Sequence, residues 1–270
     1  MLVIREIERI ESRVLGAVRF VDAATGNAVD VPLQLKAPAG TQIVRNRSGL
    51  HVISRHPALA SHSDAFFAAP ADPPVGDVEL TLTVNDFSGA YLSRTLTIAL
   101  PRDARPDHAA DADSLFRPVD VELYRSPTAA CGVNWAALRV SLSDAGSGDA
   151  LGGALLRVVS NDTVLARGVT DWRGEALVPV VGIAVMTWSE NADAVTATGV
   201  DATLEALYDD AHGSVRTPAA DVAAGAAPAR LPAADPDAIE SSPSAVSAEA
   251  PIHLVAGKPL ALALHLDLPA

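Results

Sequence analysis

Cysteine is all but missing. Cys131 stands alone among 270 residues, so no intramolecular disulfide can form and the chain has no disulfide scaffold. Aromatic residues make up only 4% while hydrophobic residues reach 49%. Much of the apolar count is therefore alanine, and the core must rest on Val, Leu and Ile. No run of eighteen apolar residues occurs, so no membrane-spanning helix is expected. Met1 to Ile10 carry charges where a signal peptide needs an apolar stretch. The expectation is cytoplasmic synthesis without a signal peptide, as a soluble chain or as part of an assembled or released particle. Catalytic signatures are missing too: there is no Gly-x-Ser-x-Gly elbow, His-Glu-x-x-His, phosphate-binding loop or dinucleotide fingerprint.

What is abundant is acid. The net charge is −13; residues 1–118 hold 12 Lys+Arg against 14 Asp+Glu, and residues 119–270 hold 8 against 19. Such a chain repels phosphate backbones, which argues against a nucleic-acid partner.

The sequence also repeats itself. Asp22-Ala23-Ala24-Thr25-Gly26-Asn27-Ala28-Val29 and Asp144-Ala145-Gly146-Ser147-Gly148-Asp149-Ala150-Leu151 share one pattern 122 residues apart. Val18 and Phe20 match Val140 and Leu142 at that offset. After a three-residue slip, Arg47-Ser48-Gly49-Leu50 falls opposite Trp172-Arg173-Gly174-Glu175. A match across strand, turn and next strand suggests two copies of one fold. The shared residues are turn formers and strand alternators, not acids, bases or ligands.

Periodicity predicts an all-β protein. Ile4, Ile7, Ile10 and Val14 suit a short helix or an irregular first strand, so 1–13 is left open. Val78 to Val84 alternates cleanly, Asn85-Asp86-Phe87-Ser88-Gly89 turns the chain, and Leu92 to Leu100 returns it. Residues 54–76 read as a loop. Trp135–Ser143, Ala154–Val159, Val164–Val169 and Glu175–Val180 read as strands, with Val185–Trp188 as a short further one. Leu260 to Leu268 alternates leucine with small or polar residues. The predicted organisation is a first β-sandwich at 1–100, a linker at 101–118 and a second β-sandwich at 119–268. The second is interrupted at about 211–251 by an Ala/Pro-rich stretch too poor in large apolar residues to order itself, expected to be flexible.

Leu151-Gly152-Gly153-Ala154-Leu155-Leu156-Arg157-Val158, followed by Gly168-Val169-Thr170-Asp171-Trp172-Arg173-Gly174-Glu175-Ala176-Leu177, resembles the carboxypeptidase-regulatory-like, or transthyretin-like, β-sandwich family over residues 136–181. Gly152 replaces that family's usual proline, and Trp172 places a large aromatic in the turn. The resemblance implies two tandem Ig-like or transthyretin-like sandwiches acting as accessory or assembly modules, with no catalytic residues to transfer. The organisation also resembles structural subunits of phage-tail-like contractile injection particles.

Few residues carry chemistry. His51, His56 and His62 lie close in sequence with Asp64 nearby, but they read as polar-loop histidines rather than zinc ligands. Asp209, Asp210 and His212 read as a solvated turn, and Cys131 lacks an activating neighbour. Trp135 begins a strand and is expected in the core. Trp172 with Arg173 at a hairpin tip, and Trp188, are the candidate contact residues; each tryptophan is either an exposed anchor or a ring folded over its own sheet. No catalytic, cofactor or metal site is expected. The leading reading is a non-catalytic structural or assembly protein with protein partners. The alternative is a surface or secreted module that binds carbohydrate or a receptor, and an enzyme using the loop histidines stands third.

Overall fold

The computed structural model describes residues 13–64, 74–183 and 199–269. Residues 1–12, most of the segment left open between helix and strand, lie outside the described residues, as do the Val185–Trp188 strand and Trp188 itself. The protein is mostly β. Its strands are β1 (Gly16–Asp22), β2 (Leu33–Lys36), β3 (Gln42–Arg45), β4 (His51–Arg55), β5 (Val78–Asp86), β6 (Arg94–Leu100), β7 (Val119–Leu123) and β8 (Ala136–Asp144). They continue with β9 (Ala150–Gly152), β10 (Leu155–Ser160), β11 (Thr163–Val169), β12 (Glu175–Val180), β13 (Gly199–Tyr208), β14 (Val215–Thr217), β15 (Val246–Val255) and β16 (Pro259–Leu266). Three short α-helices are described, α1 (Ala60–Asp64), α2 (Ala219–Ala224) and α3 (Pro236–Ser241), besides three single 3-10 turns. Among the described residues the strands form four sheets, ordered β3-β4-β1-β7, β2-β5-β6, β11-β10-β13-β15 and β12-β8-β9-β14, with β16 alongside β8.

The compact units are not contiguous in sequence. One draws on the chain up to Phe20, on Lys36–Leu82 and on Thr97–Val121; the other on Val21–Leu35, Thr83–Leu96 and the chain from Glu122 onward. In the first, Leu15, Val18, Phe20, Ile53, Leu80, Leu82, Ile98 and Leu100 are buried. The Leu15 N–H donates to Ile53 O at 2.8 Å and its carbonyl accepts from Arg102 N–H at 2.9 Å. The stretch 54–76, expected as a loop, instead begins with regular structure. His56 Nδ1 accepts the Ala58 N–H at 3.3 Å, capping a 3-10 turn at Pro57–Leu59 that leads into α1 and buries Leu59.

In the second unit two sheets face each other across one core. β8 contributes Leu138, Val140 and Leu142, β12 Val178 and Val180, and β16 Leu264 and Leu266; from the opposite sheet come Leu156, Val158, Leu204, Ile252 and Leu254. At roughly 25 cal/mol per Å² of apolar surface, each fully buried leucine or valine stabilises the fold by about 1.5–3 kcal/mol.

The repeated sequence pattern has a physical counterpart. Asp22 Oδ1 accepts from Ala24 N–H, Thr25 N–H and Thr25 Oγ1, while Asp22 O accepts from Gly26 N–H at 2.8 Å. Asp144 does the same with Gly146 N–H, Ser147 N–H and Ser147 Oγ, and its carbonyl accepts from Gly148 N–H at 2.9 Å. The second turn recurs as well. Asn46 Oδ1 accepts from Ser48 and Leu50 N–H, and Asp171 Oδ1 from Arg173 and Glu175 N–H. Strand register follows: Gly16↔Ile53, Ala17↔Val52 and Val18↔His51 become Leu138↔Val178, Arg139↔Leu177 and Val140↔Ala176, with the same three-residue slip. Sheet order repeats too, β4-β1-β7 as β12-β8-β16 and β2-β5-β6 as β10-β13-β15.

A further expectation is overturned. Residues 211–251 are not an unstructured arm. β15 pairs with β13 along ten residues, from Gly199↔Val255 to Tyr208↔Val246, and β14 pairs with β9. Those backbone bonds need no large side chains. Ile239 and Ala234 cover Leu155, and polar contacts do the rest. The buried Arg94 reaches Asp237 at 2.6 Å, and Thr95 Oγ1 donates to Ala233 O at 2.8 Å. Arg157 and Arg167 stand directly opposite each other, a repulsive pairing in a sheet. Glu240 of α3 bridges them at 2.7 and 3.2 Å.

Candidate interaction surface

The aspartates that close hairpin turns decide which side chains are presented. At the Trp172 tip, the Asp171 carboxylate accepts the Arg173 and Glu175 amides, and the Arg173 guanidinium folds back onto the same carboxylate at 3.0 and 2.8 Å. Arg173 also reaches Glu175 at 3.3 Å and lies over the Trp172 ring, 5.7 Å from its centroid. Trp172 is half-buried. The structure thus brings together Trp172 and Arg173, but they partner each other. Trp188 falls outside the described residues. Trp135, expected in the core, is likewise only half-buried, and it stacks under Arg125 at 5.0 Å.

The most exposed aromatic ring among the described residues is Phe87, 79% exposed at the β5–β6 turn, ahead of Phe116 at 57%. Its loop is tightly held. Asp86 accepts from Ser88 N–H (2.8 Å), Ser88 Oγ (2.7 Å), Ala90 N–H (3.0 Å) and Tyr91 N–H (3.0 Å). Ser126 pins the loop from below, its N–H donating to Ala90 O at 2.9 Å and its hydroxyl to Gly89 O at 2.6 Å. Partial burial opposes ionisation of Asp86, yet the Ser88 hydroxyl and the three amides outweigh it, so its carboxyl lies below the ordinary carboxylate range. Tyr91 is anchored by donating to Asp22 at 2.9 Å. Burial and that carboxylate push the phenol up to about 12. Sequence reasoning read 85–89 as a turn and passed over Phe87. The available signal was a large apolar residue set between Asp and Ser-Gly in a two-strand turn, where the backbone leaves it no interior to enter.

The same Ser126 leads to a groove of about 530 Å³, whose lining includes Pro127, Thr128, Arg139, Ser141, Ala261 and Ala263. It lies on the outer face of the β12-β8-β16 sheet. Arg139 donates to Pro127 O at 2.9 Å, and Ser126 Oγ sits 3.2 Å from Thr128 Oγ1. The surface therefore offers an exposed ring on a fixed loop, an open trough of mixed polar and apolar lining, and an outer strand.

The polar clusters have structural roles. His51 lies on β4, 5.1 Å from Phe20, and burial together with Arg45 lowers its pKa. His56 is a cap and His62 belongs to α1. Asp209 accepts from Ser242 Oγ (2.5 Å), Ser244 Oγ (3.0 Å) and Ala211 N–H (3.0 Å) and sits 3.0 Å from His212 Nδ1, tying down the segment after α3. Burial opposes its ionisation, but these donors leave its pKa lowered. Among the described residues, no group of three or more His, Cys, Asp or Glu is placed to hold a metal ion. Cys131 is half-buried, which raises its thiol pKa. Among the described residues no helix is long and apolar enough to cross a membrane.

Compared with protein families, curated proteins and solved structures, the chain matches none.

Proposed function

We propose that this is a non-catalytic structural or assembly protein, built as two copies of one transthyretin-like β-sandwich, whose partners are other proteins. The observation that carries the reading is Phe87. A phenylalanine 79% exposed on a loop fixed by four hydrogen bonds to one carboxylate loses little entropy on being covered. Support for the duplicated sandwich comes from the matched turns, register and sheet order. The resemblance to contractile injection subunits makes a phage-tail-like particle the setting to test first.

The test is an affinity pull-down from native lysate with the tagged full chain and with Phe87→Ala, followed by mass spectrometry and electron microscopy. Stoichiometric partners or tail-like particles with the wild type, lost with Phe87→Ala, are expected. A clean, partner-free wild type would overturn the reading. A glycan array, with Trp172→Ala as the control, would then test the carbohydrate-binding alternative.

A further inference from the structure

Among the described residues, β16 pairs with β8 along one edge and leaves the other open. Lys258 O accepts from Ala137 N–H at 3.5 Å and Leu266 O from Ala145 N–H at 2.7 Å, so the even-numbered residues of this parallel pair face β8. In a strand, the N–H and C=O of one residue lie on the same side. Ala261, Ala263 and His265 therefore aim theirs away from β8, and among the described residues no strand takes them up. Exposed edges are ordinarily blunted by charge, proline or bulges. The outermost strand of the facing sheet, β15, obeys this rule with Pro251 in mid-strand and exposed Glu249 and His253. β16 reads Pro-Leu-Ala-Leu-Ala-Leu-His-Leu, and its one ionisable side chain, His265, is engaged with Ser143 Oγ at 2.8 Å.

The groove lies beside this edge. Ala261 and Ala263 are too small to cover β8, and Arg139 stands directly across from Ala261 in register. Arg94, Arg125, Arg157, Arg167 and Arg173 each hold a carboxylate within 3.2 Å. Arg139 is exposed, and its one hydrogen bond among the described residues goes to the Pro127 carbonyl. Among the described residues no carboxylate pairs with it, and the groove's own Glu175 is already paired with Arg173.

We infer that the β16 edge and this groove dock an extended segment of a partner protein, which adds as a strand along Ala261–His265 and places a carboxylate side chain on Arg139. This inference rests on the assembly reading and names the chemistry of one partner. Main-chain hydrogen bonds supply affinity, and the Arg139 groove supplies selectivity.

The test pans a phage library of random short peptides on the full chain and, in parallel, on Ala263→Pro and Ala261→Glu. Ala263→Pro deletes an outward N–H without touching the β8 ladder. Ala261→Glu sets a carboxylate opposite Arg139 and fills the trough; it carries the test if the proline variant does not fold. Expected are peptides with Asp or Glu at one fixed place among β-forming residues, bound by wild type, lost on both variants and weakened about tenfold on Arg139→Ala. Peptides without an acidic preference, equal binding to both variants, or no enrichment on wild type would each overturn the site. A wild-type dimer in sedimentation that Ala263→Pro converts to monomer would replace the occupant with a second copy. Partners recovered equally by Ala263→Pro in the pull-down would sink the strand site and leave the assembly reading standing.

Discussion

The Phe87 and Trp172 loops are built alike and present opposite surfaces. In each, an aspartate accepts the amides ahead of it, and a glycine with φ near +75° (Gly89 at 75°, Gly174 at 73°) finishes the turn. What differs lies underneath. A Cβ on Gly89 would find nothing within 4 Å, whereas one on Gly174 would run into the Leu142 carbonyl oxygen. The Trp172 loop is pressed onto its sheet and half-buries its ring; the Phe87 loop stands clear and exposes its own. Local turn chemistry fixes the loop's shape, and the packing beneath decides what it shows.

Glycine substitutions break the comparison most sharply. Gly89→Ala pays only the positive-φ strain of about 1 kcal/mol. Gly174→Ala adds a collision with backbone that cannot step aside, and is expected to cost about 3 kcal/mol or more. Urea denaturation followed by tryptophan fluorescence measures both. Equal costs would mean that the two loops sit in equivalent surroundings.

Removing the carboxylate from the exposed loop comes next. Asp86→Ala gives up charge-assisted bonds to three amides and a hydroxyl, and should loosen the loop by about 1–2 kcal/mol. Hydrogen exchange at Ser88, Ala90 and Tyr91 reports it, and acid should mimic it. Because the folded Asp86 pKa is lowered, the stabilisation is complete above the unfolded aspartate value of about 3.9 and is lost as pH falls through the lower folded value. Loss of protection at those amides on acidification, taken relative to the intrinsic exchange rate at each pH and absent in Asp86→Ala, is the expected result; protection that persists at low pH would sink the claim.

Much of this was legible in the sequence. The alternation of Val78 to Val84 and of Leu260 to Leu268 placed strands, and the Asp-Thr/Ser-Gly pattern with its three-residue slip anticipated both turns and the register they set. Residues 211–251 were misread because composition counts side chains, while this segment is held by a backbone ladder, Arg94–Asp237 and the Asp209 hub. Phe87 was missed because ring size ranked the tryptophans first, although exposure follows from what lies below a loop. The groove needed Ala261 beside Arg139, two residues joined only by a parallel pairing that no local pattern announces.

Truncating the two rings sharpens the comparison at smaller energies. Trp172→Ala removes a half-buried ring and the platform under Arg173, and should cost about 1–2 kcal/mol in the same urea experiment, with modest effect on partner capture.

Phe87→Ala is the smallest change to the fold and the most telling for function. A ring 79% exposed contributes little to its own molecule, so stability should stay within about 0.5 kcal/mol of wild type. The loop should persist, because Asp86 and Ser126 hold it through backbone groups that the substitution leaves in place. Any loss of partner in the pull-down then belongs to the ring itself, and an aromatic anchor at the centre of an interface should weaken capture by tenfold or more, roughly 1.4 kcal/mol or above. Loss of stability with capture intact would reverse the assignment, making Phe87 a packing residue and returning Trp172 to the front.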